Sequence, residues 1–592
     1  MLVKIQTNWF VPAALAFPHK NEACSVLSKC VLFTHPSRFE IDNDKARRRR
    51  SNWHRLCGLG EAPALSEWEV QEAGAAVSSY LQELGVSEED SEFMASKSSG
   101  YVKMLVEGVR DLEQLQWDER IAAFSFKDKI LHIAVQKGDN GKLAYLETLG
   151  FSLSSSMNVA TYLSAHTLPS LMHKVTRMKQ LFFSAHSLDE FHFHLLVKNI
   201  HLMMRHLSIS TDEDLQHTLA FFEKLEARRG GLNILASQHG AFRNLIESFP
   251  RLLQLSVDNH FTPILDFLHN IGIPTFRISG IILAFPPLLF WNLQLLRTRV
   301  LDLDQIDVAD KNYAKLLLKY PWVLSTSIQQ NYTEILAFLY SVQVQKTWIE
   351  LAIESHPHLL GCSISKLKLM VDQLAGLGVR NKKLNQVIAK SPQLLLREPK
   401  DFLQIVLLFE NMDFDKQTIG RILVRCPEIF AASINKTLRR KIEFLGKVGV
   451  SKTFLPGVIR KYPELLVSDT DKTLLQRIMY LMKLGLSEED IAYMVRTFSP
   501  VLGYSIEGVL RPKIEFLVNS MERPVRDVVG YPRYFSHSLE KKIKPRFWVL
   551  KGRDIKCSLK DMLAKNDEEF AAEFMGIGRM LVCPPVSSKD SL

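Results

Sequence analysis

The sequence of 592 residues lacks the features of a membrane protein, a disulfide-stabilised protein or a structural zinc protein. Although 46% of its residues are hydrophobic, no apolar run approaches the eighteen or more uncharged residues that a membrane span requires. The seven cysteines are scattered, without a C-x-x-C pair or a disulfide-framework spacing. We therefore expect no membrane partner and a reducing compartment.

Catalytic signatures are also missing. The chain contains no G-x-x-x-x-G-K-[ST], no G-x-S-x-G and no H-E-x-x-H. A cluster of histidines has no Cys, Asp or Glu spaced to complete a tetrahedral metal site, so surface or core positions explain it better than a metal does. Its members are His186, His192, His194, His201 and His206. We predict a protein that is not an enzyme and uses no cofactor, metal or small-molecule substrate.

The chain has instead an internal repeat, marked by a turn residue every 33 to 36 positions. The nine turn residues are Pro250, Pro286, Pro321, Pro357, Pro392, Pro427, Pro463, Ser499 and Pro532. A steady period of this length is typical of repeat proteins, in which each unit buries its apolar face only against its neighbours. The repeat predicts one long helical body.

Each copy is predicted to hold two helices separated by the turn. Ser487 is placed to cap a first helix whose apolar stripe runs from Ile491 to Phe498, and a proline ends such a helix because the preceding residue is disfavoured in the α region. A glycine closes the second helix, since glycine adopts a left-handed backbone at little cost. This closing position is occupied by Gly272, Asp307, Gln343, Gly378, Asp413, Gly449 and Gly485. Asp tolerates the left-handed region, whereas Gln343 is expected to be strained.

The pattern divides the chain into five segments. They are a transit peptide or disordered segment (1–60), degenerate helical repeats (75–235), the clear repeats (236–535), a basic C-terminal cap (536–575) and a disordered tail (576–592). In the last copy the connection after I-E-F-L is three residues shorter than in an earlier copy, so the final helix pair should pack differently.

Basic residues dominate the first segment. Residues 1–60 hold ten Lys and Arg against four Asp and Glu, including the block Arg47 to Arg50, out of a net charge of +10 for the chain. This composition is typical of an organelle import signal. A disordered tail or a nuclear signal in the arginine block is the alternative.

The turns F-P-R-L-L (249–253), H-P-H-L-L (356–360) and Y-P-E-L-L (462–466) combine with L-G-[VL]-S helix joints and the late segment YPRYFSHSLEKKIKPRFWVLK. In this combination the chain resembles the mitochondrial transcription termination factor (mTERF) family, in its plant organellar branch. The resemblance implies an all-α superhelical solenoid of about nine helix-pair repeats, each with a short 3₁₀-like turn, whose concave basic face holds nucleic acid.

The resemblance also implies a role in organelle gene expression, through transcription termination or regulation, or RNA processing such as intron splicing. It favours the chloroplast over the mitochondrion. The implied ligand is double-stranded DNA or structured organellar RNA, and other organellar gene-expression proteins are possible partners. A helical scaffold that binds only proteins remains the alternative function. Tetratricopeptide and pentatricopeptide patterns are not found at the period, so a modular base code is not expected.

Two groups of cations are candidate phosphate ligands. The first precedes the turns: Lys319, Lys390, Arg425, Arg460, Lys461 and Arg496. One position per repeat stacks into a row along a solenoid, so these residues predict a basic stripe, but a cation that complements the dipole of a helix C-terminus would follow the same pattern. With helices ~8–10 Å apart, nine repeats give a groove on the order of 70–90 Å, which is roughly 20–25 base pairs.

The second group lies near the end of the chain, where residues 526–556 hold nine Lys and Arg against three acids. The predicted anchor residues there are Arg533, Lys541, Lys542, Lys544 and Arg546. Some must face the protein, because the neighbouring Ile543, Phe547, Trp548 and Leu550 are expected to be buried.

Overall fold

The structure is a computed structural model that describes residues 66–114, 124–183, 190–305 and 313–576. All of these except Ser66 belong to one compact unit. The predicted import signal (1–60), nearly all of the predicted tail, His186 and Asp307 lie outside the described residues.

Every regular element in the described ranges is helical, and the clear repeats have the predicted phase. The first helices of repeats 1 to 9 are Gln238–Ser248, Thr275–Ala284, Tyr313–Lys319, Lys346–Ser355, Lys382–Lys390, Lys416–Arg425, Leu455–Lys461, Glu488–Thr497 and Asp527–Gly530. The second helices are Thr262–Asn270, Leu293–Gln305, Thr326–Ser341, Ile364–Gly376, Pro399–Glu410, Arg439–Lys447, Gln476–Lys483, Arg511–Glu515 and Lys544–Gly552. The predicted all-α solenoid of helix-pair repeats is confirmed.

The turns have one conformation throughout. The residue before the turn residue has φ between −131° and −149° and ψ between 63° and 78° in all nine repeats, outside the α region as expected before proline. A 3₁₀ turn follows in eight repeats, and in repeat 6 the short helix Glu428–Ala431 takes its place. The leucines of the turns, such as Leu465 and Leu466, are buried.

Consecutive repeats stack in two layers. First helices pack against first helices, as between Lys382–Lys390 and Lys416–Arg425, and second helices pack against second helices, as between Ile364–Gly376 and Pro399–Glu410. The core lies between the layers and includes the fully buried aromatic rings of Tyr320 and Trp322.

Several second helices begin with a π-helical turn. These turns are Val257–Phe261, Ile434–Leu438, Thr470–Leu475, Ile506–Leu510 and Leu539–Ile543. A serine or aspartate side chain caps each of them by accepting a backbone N–H, for example Asp469 from Lys472.

The closing positions within the described residues are left-handed. The four glycines have φ between 78° and 95°, Asp413 has φ 59° and Gln343 has φ 61°. A left-handed backbone costs a residue with a Cβ atom roughly 1–2 kcal/mol. The strain predicted at Gln343 is therefore present.

The region before the repeats is also helical where it is described. Its helices are Glu67–Glu83, Glu88–Lys97, Ser99–Gln114, Phe126–Lys137, Lys142–Thr148, Leu153–Ala160, Leu168–Phe182, Glu190–His206 and Glu213–Glu226. No single described helix has the length and apolar composition of a membrane span; the neighbouring segments Val257–Asn270 and Thr275–Ala284 reach that composition only together and are bent by 113°.

One of these helices, Glu190–His206, lies across several repeats, and we call it the crossing helix. It packs against the first helix of repeat 2 and the turn of repeat 4. The segment after it is tied to the same edge of the solenoid. The Ser208 N–H donates to the Gly361 carbonyl at 2.8 Å, and the Asp212 carboxylate accepts from the Ser325 hydroxyl at 2.6 Å.

The end of the solenoid differs from its middle. In keeping with the shortened connection, the first helix of repeat 9 is reduced to the single turn Asp527–Gly530. The short helices Leu559–Ala564 and Asp567–Phe570 follow the last repeat.

Candidate nucleic-acid interface

Four of the predicted stripe residues lie two positions before a turn, and we call Lys319, Lys390, Arg425 and Lys461 the pre-turn row. Each side chain is exposed along its length, but its cationic group reaches the end of the first helix of the next repeat. Lys319 Nζ donates to the Glu354 carbonyl at 2.7 Å. Lys461 Nζ donates to two carbonyls of repeat 8, those of Arg496 and Thr497, at 3.1 Å each.

The other two members repeat this geometry. Lys390 Nζ donates to the carbonyls of Val424 and Arg425 at 3.4 and 3.0 Å. Arg425 donates from a terminal nitrogen to the Lys461 carbonyl at 3.1 Å, and its Nε pairs with Glu464 at 2.8 Å. The cations therefore complement the dipoles of helix C-termini, which was one of the two interpretations of the pattern. The helix that each cation complements belongs to the next repeat and not to its own.

Arg460 and Arg496 lie three positions before their turns and make different contacts. The Arg460 guanidinium lies over the Phe414 ring at 5.5 Å, and that of Arg496 lies over the Phe454 ring at 5.0 Å. Both rings stand at the start of the first helix of the preceding repeat. The six predicted stripe residues therefore form two sets, one directed forward along the solenoid and one directed backward.

A second set of periodic cations, which we call the inner row, consists of Lys441, Arg477, Lys513 and Arg546. Sequence reasoning missed the first three and named Arg546 only as an anchor residue. Each is the third residue after a fully buried leucine or isoleucine at the start of a second helix. The signal that could have found them is a cation directly before I-E-F-L in two copies of the repeat.

The inner row also links neighbouring repeats. Lys441 Nζ bonds the Ser468 carbonyl, Arg477 Nε donates to the Tyr504 carbonyl at 2.8 Å, and Lys513 Nζ donates to the Phe535 carbonyl at 2.7 Å. Lys441 and Lys513 are both 8% exposed, and burial lowers the pKa of each ammonium group. These side chains satisfy buried carbonyls and do not face a ligand.

Arg546 corrects one of the predicted anchor residues. It is only 5% exposed, and its guanidinium donates to the carbonyls of Met562 and Lys565 at 2.8 and 2.9 Å and pairs with Asp567 at 2.6 Å. Because it is buried against the terminal helices, it holds the end of the chain together and is not among the phosphate ligands that we propose.

The other predicted anchor residues lie nearer the surface. Arg533 and Lys541 are exposed, Lys544 pairs with Glu540 at 2.5 Å, and Lys542 is half-buried with its Nζ 3.3 Å from the Lys565 carbonyl. Burial, followed by the charge of Arg546, lowers the pKa of Lys542.

The apolar residues around the anchor cations are not all buried. Ile543 and Leu550 are buried as predicted, whereas Trp548 is 54% exposed, so that expectation was wrong for Trp548. Lys551 Nζ lies 5.4 Å from the centre of the Trp548 ring. The C-terminal unit therefore presents cations and an aromatic ring together on its surface.

No group of three or more His, Cys, Asp or Glu side chains in the described ranges is arranged to hold a metal ion. The described cysteines Cys362, Cys426 and Cys557 are free thiols.

Comparison with known proteins identifies the repeat. A sequence model of the mTERF family matches residues 265–571. Two proteins of Arabidopsis thaliana are each 42% identical to the chain: "Transcription termination factor MTERF2, chloroplastic" over 69 residues and "Transcription termination factor MTERF6, chloroplastic/mitochondrial" over 62 residues. A third, "Transcription termination factor MTERF4, chloroplastic", is 38% identical over 63 residues. The aligned segments cover 10–12% of this chain and 11–19% of these relatives.

Proposed function

Because the chain belongs to the mTERF family, we propose that it is a nucleic-acid-binding regulator of organelle gene expression that acts in transcription termination or in RNA processing. The observation that carries the proposal is the family match over residues 265–571, in a solenoid in which four of the nine repeats expose a cation two positions before the turn. The printed names of the relatives, transcription termination factors of chloroplasts or of both organelles, agree with this role. The chemistry is binding, without catalysis.

We place the site of action in the chloroplast, with the mitochondrion as the alternative. The support is the chloroplast location in the names of the relatives and the basic composition of residues 1–60. A fusion of residues 1–60 to a fluorescent protein should enter plastids. Retention in the cytosol or nucleus would contradict this location.

The proposed phosphate ligands are the members of the two predicted groups that are exposed or half-buried, which leaves out the buried Arg546. An ammonium group has three N–H donors, so Lys461 keeps one donor for a phosphate after it has bonded two carbonyls. Arg425 keeps further N–H donors in the same way. The full set is Lys319, Lys390, Arg425, Arg460, Lys461, Arg496, Arg533, Lys541, Lys542 and Lys544.

The experiment that tests this function is ultraviolet crosslinking of the chain in isolated organelles, followed by sequencing of the bound DNA and RNA. Recovery of a defined DNA or RNA site, bound by the purified protein with an affinity that falls steeply with salt, is the expected result. A protein scaffold should crosslink no nucleic acid above background while it still co-purifies with organellar proteins. That result would replace the proposal by the scaffold function.

A further inference from the structure

A cavity of about 630 Å³ lies where the crossing helix covers the turn edge of the solenoid. One wall is the crossing helix, and the opposite wall comes mainly from the first helix of repeat 3 and the turns of repeats 4 and 5. Repeats 2 and 6 contribute one residue each, Arg277 and Ala431. Small-molecule sites in proteins enclose roughly 300–1,000 Å³. The cavity therefore has the size of a site for a small ligand.

The charges that line this cavity are unbalanced. Six cations line it, namely Lys198, Arg205, Arg277, Lys315, Lys319 and Arg397, against the two carboxylates of Glu398 and Asp401. Glu398 is already paired with Lys366, which is not part of the lining. The exposed cations Lys198 and Arg205 come from the crossing helix, so positive charge faces the ligand space from both walls.

The histidines of the cavity report the same positive environment. Burial, followed by the charge of Arg205, lowers the pKa of His206 to about 4. Burial also lowers the pKa of His358 to about 4, and Lys319 contributes to the shift. These imidazoles are neutral at neutral pH, so the wall offers neutral polar groups between the cations.

Two buried polar atoms of the lining residues lack partners. Nε2 of His358, a residue that is 8% exposed, and Nε of Arg397 have no hydrogen-bond partner among the residues that the structure describes. Buried polar atoms are almost always paired in native proteins. Both atoms are closed off from the open cavity, so the assignment of a ligand rests on the charges of the lining and not on these atoms.

Apolar side chains share the lining with these groups. Leu195 and Leu202 belong to the crossing helix, and Leu318 and Leu396 belong to the opposite wall. A ligand that carries phosphate groups on a flat apolar ring would match both the cations and the leucines. A bare inorganic anion would use only the cations.

We propose that this cavity binds a small phosphate-bearing ligand of nucleotide size, at a site that shares only Lys319 with the proposed nucleic-acid contacts of the pre-turn row and the C-terminal unit. Six cations against two carboxylates, in a space of about 630 Å³ between the crossing helix and repeats 2 to 6, carry the assignment. The phosphates lie between Lys198 and Arg205 on one side and Lys319 on the other, and the ring lies against the leucines.

Isothermal titration of the full chain with ATP, pyrophosphate and adenosine tests the assignment. ATP is expected to bind, pyrophosphate more weakly, and adenosine more weakly again. Lys198→Gln combined with Arg205→Gln should weaken ATP binding by at least about tenfold, because each charged hydrogen bond contributes at least that factor. The matched control, Lys436→Gln with Lys472→Gln, removes two exposed cations that are not part of the cavity lining and should leave ATP binding unchanged.

A second variant keeps every charge and fills the space instead. Leu202→Trp should abolish ATP binding, while circular dichroism and the melting temperature report an intact fold. Equal ATP affinity in the parent, the double variant and Leu202→Trp would overturn the proposal. A second result would also overturn it: the protein binds neither ATP nor pyrophosphate, but it binds oligonucleotides and the double variant weakens that binding. The cavity would then hold part of a nucleic-acid strand.

Discussion

Replacing Arg425, Lys461 and Arg496 together by glutamine separates the two roles that the exposed cations can have. Each removed cation complements a helix C-terminus or stacks on a ring of a neighbouring repeat. At about 0.3–1 kcal/mol for each, the variant should lose about 1–3 kcal/mol of unfolding free energy. If the same residues contact phosphates, the log–log slope of affinity against salt should also flatten.

The size of that flattening follows from counterion release. Three lost contacts change the slope by about 2.7 for duplex DNA and by about 2.1 for a single strand. Between 50 and 200 mM salt the parent should therefore lose roughly 40-fold more affinity for a duplex than the variant does. Filter binding over this salt range, with urea denaturation of the same samples, measures both quantities.

A matched control comes from the inner row. Lys441→Met removes a periodic cation that is 8% exposed, so it should change the unfolding free energy and leave the salt slope unchanged. If the triple variant also loses stability while its affinity and salt slope match those of the parent, the exposed cations are joints between repeats only. The nucleic acid would then bind elsewhere.

Four further substitutions test the physical account of the fold. Gln343→Gly should raise the unfolding free energy by about 0.5–1 kcal/mol in urea denaturation, because glycine relieves the left-handed strain. Gly449→Ala should lower the unfolding free energy, because the new Cβ would lie 2.7 Å from the Ala492 Cβ. Folding lowers the pKa of His358 from 6.5 to about 4, so the unfolded chain binds more protons there than the folded one, and the unfolding free energy decreases as the pH falls below 6.5. His358→Phe should reduce the loss of unfolding free energy between pH 7 and pH 5 by about 2 kcal/mol. An unchanged loss would contradict the lowered pKa of His358. Lys513→Ala should lower the unfolding free energy by about 2–3 kcal/mol, since a buried carbonyl loses its charged donor. A decrease of less than about 0.5 kcal/mol, measured by thermal unfolding, would refute the role of the inner row in linking repeats.

The repeat was predictable because its signal is local. A proline excludes its predecessor from the α region wherever it stands, and a left-handed closing residue ends a helix without help from other repeats. The period alone also predicted the left-handed backbone of Gln343. This φ is strained, because glutamine disfavours the left-handed region.

The candidate site was less predictable because its contacts join different repeats. The sequence places Lys461 near the end of its own helix, and nothing local indicates that its ammonium group bonds carbonyls 35 and 36 residues later. The exposed Trp548 and the buried Arg546 were misassigned for the same reason, since the helices that cover them or leave them open come later in the chain. The crossing helix is the extreme case: its cations meet those of repeats 2, 3 and 5 only through the tertiary path of the chain.

The dipoles of the first helices limit how far along the solenoid a phosphate backbone can be attracted. Each helix C-terminus carries about −0.5 charge, so an uncapped row of such ends repels phosphates, and one cation per end leaves about +0.5. Lys319 of repeat 3 caps the end in repeat 4, and cations of repeats 5, 6 and 7 cap the ends in repeats 6, 7 and 8. Arg496 adds a further charge in repeat 8, so the longest run of consecutive cations spans repeats 5 to 8.

At ~8–10 Å per repeat, the attractive stretch over repeats 5 to 8 is about 32–40 Å long, or roughly 9–12 base pairs at 3.4 Å each. This is half of the length that nine equivalent repeats would give. Hydroxyl-radical footprinting of a bound duplex should therefore protect about one helical turn, with any extension on the side of the C-terminal cations. Uniform protection of 20–25 base pairs would mean that uncapped helix ends also bind phosphate, against the charge balance argued from the pre-turn row.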